Sequence, residues 1–424
     1  MTNNLVQRSL FFFLGLLSSQ MIVAQSVLQL DSCVRWVQNY PLSKQYSAIN
    51  QIQTLQQANL QKNWWPQVSV SGQATYQSTT FALPIKIPGI NIETPAKDQY
   101  KVYGDIQQTI FDGGITAQLK SASGLQAASE TKKIDNELYK IKEKVVQLFF
   151  NALFIENQTI QTKVTEKDLL ALSNKIKAAT ANGISSKYNE AVIEAEITKL
   201  YQKQTELKEN KAAILKSIGN LVGKTLSDNV LLELPSTLTA DNGSINRAEL
   251  ELMAVQKLQL ANQATLATKK TMPKVAAFAQ FGYGRPALNP VSNEFESYFI
   301  GGLKMNWNLS SYYTLGKEKQ ILAAQSNHID AQKEAFNLMT ENTISTLQLE
   351  IEKFRKLIES DTQIIAARTK IKVSTQAMLD NGVISYSDYL KELDAEDLAK
   401  TAKAMHEIQL LQTQYQLQLT KGNL

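Results

Sequence analysis

Side chains able to move protons, hold metals or attack carbonyls are few in this chain and stand far apart. His328 and His406 are the only histidines, both in stretches of helical periodicity, and neither belongs to an HExxH or other metal-ligand spacing. Cys33 is the one cysteine, so no intramolecular disulfide forms, and with no histidine partner suggested by spacing it is expected to be a packed thiol. No GxSxG, P-loop or GxGxxG opens a helix in the required context. The run Phe281-Gly282-Tyr283-Gly284 reads as strand, its aromatics suited to an interfacial girdle and not to a phosphate loop. An enzyme needs a constellation, and these residues supply none. No catalytic residue, cofactor or metal ligand is expected.

The remaining chemistry is electrostatic and sits at two Asn-Gly turns. Gly183 and Gly382 each follow an asparagine where a long helical pattern reverses, and a sharp reversal needs a residue that tolerates positive φ. Six residues past the second glycine stands Asp388; the same place in the first turn holds Asn189, and Lys391 follows Asp388 by three. An aspartate there is favourable at the start of a returning helix because of the helix dipole. In a symmetric assembly its copies would also form a ring of negative charge that favours cations. Both readings stand at this point.

The elements that must position these turns begin after a leader. Arg8, the apolar run Leu10 to Leu17 and small residues up to Ala24 read as a secretory signal peptide over 1–24. That run is too short to span a membrane, which takes about 20 apolar residues, and no such stretch follows, so a helical membrane protein is excluded. Lipoprotein processing is excluded as well, because Leu30-Asp31-Ser32 ahead of Cys33 lacks the small residues it needs. The 44 Lys and Arg against 39 Asp and Glu are mixed along helical stretches, so the net charge of +5 makes no basic patch and no nucleic-acid partner is expected.

The chain repeats itself. Trp64-Trp65-Pro66-Gln67-Val68 recurs as Thr271-Met272-Pro273-Lys274-Val275, and Asn182-Gly183-Ile184 as Asn381-Gly382-Val383. This places a first structural repeat over 25–226 and a second over 227–424, each reading helix, strand, loop, strand, long helix, tight turn, helix. Strands are expected at about 67–82 and 98–111, then 274–285 and 296–309; turn tips are expected at 182–189 and 381–388. Val68, Val70, Gly72, Ala74 and Tyr76 alternate with Gln67, Ser69, Ser71, Gln73 and Thr75, giving one apolar and one polar face. The partner strands keep that parity, in Tyr100, Val102, Gly104, Ile106 and Ile110, then in Val275 to Tyr283 with Phe299 to Leu309. Each strand is long enough to cross a bilayer when tilted. Four strands per chain cannot close a barrel, open edges are forbidden in lipid, and about eight strands is the minimum, so a dimer is the smallest solution and a trimer the next. Trp64, Trp65, Pro66, Pro273 and Trp307 mark the strand starts and an expected membrane interface. Between strand and turn, Ile115 to Ala181 and Thr314 to Asp380 lack proline and would extend ~100 Å as continuous helices. Val145, Leu148, Leu153, Leu169 and Leu172, and Ile344, Leu347, Ile351, Leu357 and Ile364, give each a narrow packing stripe.

These features together resemble the TolC family of outer-membrane efflux proteins over nearly all of the mature chain. The resemblance rests on Pro66 and Pro273, on Gln107-Gln108-Thr109-Ile110-Phe111-Asp112-Gly113-Gly114 leading from strand to helix, and on the turns NGISSKYNEAVIEAE and NGVISYSDYLKELDAE. It implies an α+β membrane protein: a homotrimeric 12-stranded transmembrane β-barrel, four strands per chain, continued by a periplasmic α-helical coiled-coil barrel. It further implies an outer membrane of Gram-negative type, contact with its lipid, and a passive exit duct for a tripartite efflux pump or type I secretion system. The partners it implies are a periplasmic adaptor (membrane fusion protein) and an inner-membrane transporter of RND, ABC or MFS type. Adaptor docking and the gate would fall at the tunnel tip, around Gly183, Asn189, Gly382, Asp388 and Lys391. Two departures bear on that gate. Lys391 stands where the family has a second acid, and the Tyr and Arg positions of the type member's latch are Leu379 and Ile384. The competing reading is a periplasmic or surface coiled-coil binding protein without a channel.

Overall fold

The computed structural model describes residues 27–80, 96–238, 244–290 and 292–424. The expected signal peptide at 1–24 and residues 81–95 of the expected loop lie outside them. The chain forms two compact units, one of residues 1–40, 140–244 and 344–424, the other of residues 41–139 and 245–343, so each draws on both sides of the repeat boundary expected at 226/227.

The second of these units carries the sheet. Strands β2 (Gln67–Tyr76), β3 (Asp98–Phe111), β5 (Lys274–Arg285) and β6 (Glu296–Asn306) are joined in the order β2-β3-β5-β6, all antiparallel. Register sets Val70, Gly104, Phe281 and Phe299 in one row and Val68, Ile106, Ala279 and Gly301 in the next. Every member of these rows belongs to the apolar face, so the parity expected from alternation extends across all four strands. That face is open: Val70 is 78% exposed, Phe299 57% and Leu303 72%.

Three local details depart from the expected strands. The first strand ends at Tyr76, short of 82, with Gln77–Thr80 outside regular structure. The last ends at Asn306, short of 309, because its partner β5 starts at Lys274 opposite Asn306 and the residue before it, Pro273, has no N–H to continue the ladder. Ile110 falls at a bulge, where pairing steps from Thr109–Ala276 to Phe111–Val275, so Phe111 takes over the parity expected of Ile110. The same unit holds helix α2 (Gln45–Gln61), whose Tyr46 hydroxyl donates to Asp135 at 2.5 Å, and helix α5 (Ala248–Lys270), tied to neighbouring helical segments by Lys132–Glu251 at 2.6 Å and Lys257–Asp330 at 2.6 Å.

The other unit is mainly helical. Strand β1 (Val27–Leu28) pairs in parallel with β4 (Leu231–Leu232) and is followed by the helix α1 (Leu30–Trp36). Two long helices, α3 (Ile115–Ala181) and α6 (Ser311–Asp380), contribute their C-terminal portions here, and α4 (Lys187–Val222) and α7 (Tyr386–Lys421) return from them. Val145, Leu153, Leu169, Leu172, Leu347 and Ile351 are buried as their spacing requires, whereas Ile364 is exposed. Cys33 is fully buried, and burial pushes its thiol up to about 12, which makes it a poor nucleophile. Among the described residues no helix is long and apolar enough to cross a membrane.

Candidate functional site

The two turns close with the same bonds. Ile184 N donates to Ala179 O and Val383 N to Met378 O, both at 2.8 Å; Gly183 N and Gly382 N donate to Thr180 O and Leu379 O, both at 3.0 Å. Asn182 and Asn381 turn their side-chain amides back onto the carbonyls of Ala178 and Ala377, at 2.9 and 2.8 Å. Each glycine sits at positive φ, 72° and 70°, and nothing lies within 4 Å of where a Cβ would stand. Conformation, not crowding, therefore demands glycine. Replacing Gly382 with Ala is expected to cost about 1–2 kcal/mol of helical-hairpin stability through the left-handed backbone alone, read as a lower melting temperature by far-ultraviolet circular dichroism. An unchanged melting curve would refute this.

Beyond the turns the two tips diverge. Ser385 caps α7: its hydroxyl accepts from Asp388 N at 3.2 Å and donates to Asp388 Oδ2 at 2.6 Å, and Lys391 Nζ reaches Asp388 Oδ1 at 3.3 Å. Ser385 and then Lys391 hold the Asp388 carboxyl below the usual carboxylate range. Asp388 is thus ionised, exposed and partly neutralised by Lys391. In the first tip Asn189 donates from its amide to Ser185 Oγ at 3.2 Å, and Ser186 makes no side-chain cap.

The latch positions are apolar here. Leu379 is buried with Leu169, Leu172, Ile176, Ile193, Tyr389, Leu390 and Leu393, and Ile384 packs on that cluster. Both hairpins contribute, so burial couples them where a polar latch was not to be found.

A charged cluster that the sequence reading missed lies next to it. Lys372 Nζ stands 2.8 Å from Asp168 Oδ2 and 3.0 Å from Glu396 Oε2, and Glu396 Oε1 also meets Lys400 at 3.0 Å and the Thr369 hydroxyl at 2.8 Å. Glu396 is 2% exposed. Burial would raise its carboxyl, but bonds from Thr369, Lys372 and Lys400 outweigh this and hold it at about 2. Asp397 accepts from Gln161 at 3.0 Å and Thr165 at 2.5 Å nearby. The only available hint was the phase of Glu396, which falls on the buried side of a helix otherwise rich in solvated charge.

At the helix end of the sheet, the strand-start residues fall into matched bonds. Gln108 Nε2 donates to Trp64 O at 2.6 Å, and Trp307 Nε1 donates to Thr271 O at 3.0 Å, one bond in each half of the chain at equivalent places. Trp65 is 61% exposed and Trp307 49% exposed, while Pro66 and Pro273 directly precede β2 and β5. Asp112 closes the strand-to-helix segment, accepting from Gly114 N at 2.8 Å and Thr116 N at 2.6 Å. His328 is exposed beside Gln332, and His406 Nδ1 lies 2.6 Å from Asp361 Oδ2, so the two histidines share no site. Among the described residues no group of three or more His, Cys, Asp or Glu could hold a metal ion.

No protein-family model and no curated protein matches this sequence. Solved structures do match. The outer-membrane channel OprN aligns with TM-score 0.68 over 93% of this chain and 90% of its own, at 12% identity. The CmeC outer membrane channel of Campylobacter jejuni gives 0.66 over 93% and 85%, at 14% identity. The open state of the MtrE outer membrane channel of Neisseria gonorrhoeae gives 0.65 over 93% and 88%, at 12% identity. The chain has the fold of the outer-membrane channels.

Proposed function

Starting from that fold, we propose that this chain is one protomer of a trimeric outer-membrane exit duct, four strands from each of three copies closing a twelve-stranded barrel. In this reading the helical hairpins form the periplasmic conduit. A periplasmic adaptor and an inner-membrane transporter deliver the substrate, in an efflux pump or a type I secretion system, and the chain itself catalyses nothing. The observation that carries it is the sheet. Its apolar face is exposed, its opposite face is mostly polar, with Phe278 and Ile300 the large apolar exceptions, and β2 and β6 stand at its edges, each with one side unpaired among the described residues. Unpaired backbone groups are not tolerated in hydrocarbon, so such a sheet enters lipid only when further copies seal its edges. The bonds repeated at the two turns and at the two strand starts support a two-fold internal repeat, with the tips as the gate.

Current recording in planar bilayers tests this. The purified protein is expected to conduct ions, and Leu379→Ser, which places a hydroxyl in the apolar cluster joining the tips, is expected to raise the conductance by loosening the gate. Light scattering of the detergent-solubilised protein, corrected for bound detergent, should give three times the mass of the mature chain, which is the 47.3 kDa of the full sequence less residues 1–24. Electrical silence of both proteins, or a stable monomer that salt alone extracts, would overturn the reading in favour of a coiled-coil binding protein.

A further inference from the structure

The polar face of the sheet carries an arrangement to which a plain duct gives no role. Ser71, Tyr103, Gly282 and Tyr298 lie in one row across the four strands. Alternation puts all four on the side of Gln67, Ser69 and Asp105, away from Val70 and Phe281. Tyr298 rests directly over Gly282: a Cβ at that glycine would stand 2.2 Å from the Cζ of Tyr298 and 2.5 Å from its hydroxyl oxygen. A larger residue at 282 would evict the ring. Tyr103 faces the same glycine from the other neighbouring strand, so two phenols flank a position kept empty of side chain. The next row on one side contributes Asp105 and Gln280, and the next on the other contributes Lys101 and Glu296. Two carboxylates against one ammonium leave the surroundings of the phenols net negative.

We propose that Tyr103 and Tyr298 form an aromatic collar on the inner wall of the barrel, which binds organic cations bearing an aromatic ring as they pass. The proposal rests on the trimeric channel reading, under which three copies of the row bring six phenols to one level of the lumen. The electron-rich face of a phenol attracts cations and stacks on flat rings, and the carboxylates of the adjoining rows add attraction for positive charge. A simple anion finds neither a cluster of ammonium groups nor free backbone N–H groups there. Because the strands supply the collar from their backbone register, it is preformed and needs no loop to close over the solute.

Single-channel recording decides this, with benzyltrimethylammonium as the aromatic cation and tetramethylammonium as its non-aromatic control. The aromatic probe is expected to block the current at roughly tenfold lower concentration than the control. That preference should survive in the Tyr103→Phe/Tyr298→Phe protein, which keeps both ring faces, and disappear in Tyr103→Leu/Tyr298→Leu. Equal block by the two probes in the unsubstituted channel, or a preference undiminished by the leucines, overturns the collar and leaves the channel intact. Silence of both the unsubstituted and the Leu379→Ser proteins overturns the channel reading and the collar with it.

Discussion

Val70→Arg is expected to abolish assembly in the outer membrane, while Ser71→Arg, one residue along the same strand, leaves assembly in place. Val70 lies mid-strand, 78% exposed, in the row with Gly104, Phe281 and Phe299. An arginine on the lipid face near the bilayer midplane of a transmembrane barrel costs about 2–4 kcal/mol. Each of three copies would bear that cost, and the sum is comparable to the whole stability of a typical domain. Ser71 points to the opposite face, where a guanidinium meets water and the cost falls close to zero. The measurement is the share of each variant recovered from outer membranes as a detergent-stable trimer. Equal recovery of the two variants would mean that the Val70 face does not meet lipid, and the barrel would fall with that result. Leu303→Arg, on the same face of β6 and 72% exposed, repeats the test on an edge strand.

That contrast was legible in the residues before any coordinates. A period of two over Gln67 to Tyr76 specifies which side chains share a face, and a slip by one residue would exchange the two faces. What was not legible came from neighbours distant in the chain. The bulge at Ile110 depends on how β3 meets Val275 and Ala276, and nothing in Thr109-Ile110-Phe111 itself signals an extra residue. The early end of β6 depends on where β5 begins, although Pro273 was in view and could have fixed it. At the tips, Gly183 and Gly382 announced the turns because only backbone conformation was at stake. The apolar cluster behind them was half visible: Leu379 and Ile384 showed that a polar latch was missing, but not that Ile193 and Leu393 join them. Glu396 and Lys372 were hidden for a different reason. Charged residues on long helices are mostly solvated, so the phase of Glu396 was the one cue, and nothing in it pointed to Lys372 as the partner.

Because Glu396 is buried and Lys372 half-buried, that pair should matter more to stability than the surface ion pairs among the described residues. Removing one partner of a buried pair strands the other charge, at a cost of about 3–5 kcal/mol. Lys372→Met is therefore expected to lower the helical melting temperature sharply at neutral pH, since Glu396 keeps only Lys400 and Thr369, and Asp168 loses its ammonium. The pH dependence carries a sign. Glu396 titrates at about 2 when folded, below its ordinary 4.5, so its stabilising contribution is complete above 4.5 and is lost as pH falls toward 2. A displacement of that size corresponds to roughly 3 kcal/mol. Lys372 is displaced upward: burial alone would lower it, but Asp168 and Glu396 outweigh burial, so its contribution holds at neutral pH and is lost only in strong alkali. The two displacements describe one interaction seen from both ends and do not add. The gap between Lys372→Met and the unsubstituted protein should consequently narrow between pH 4.5 and 2, because protonated Glu396 no longer needs the ammonium. Lys372→Met/Glu396→Gln should recover part of the loss, since exchanging both charges leaves no buried carboxylate behind. If the double variant melts no higher than the single one, or if the gap stays constant through acid, the cost arises from packing of the lysine stem and not from the stranded charge.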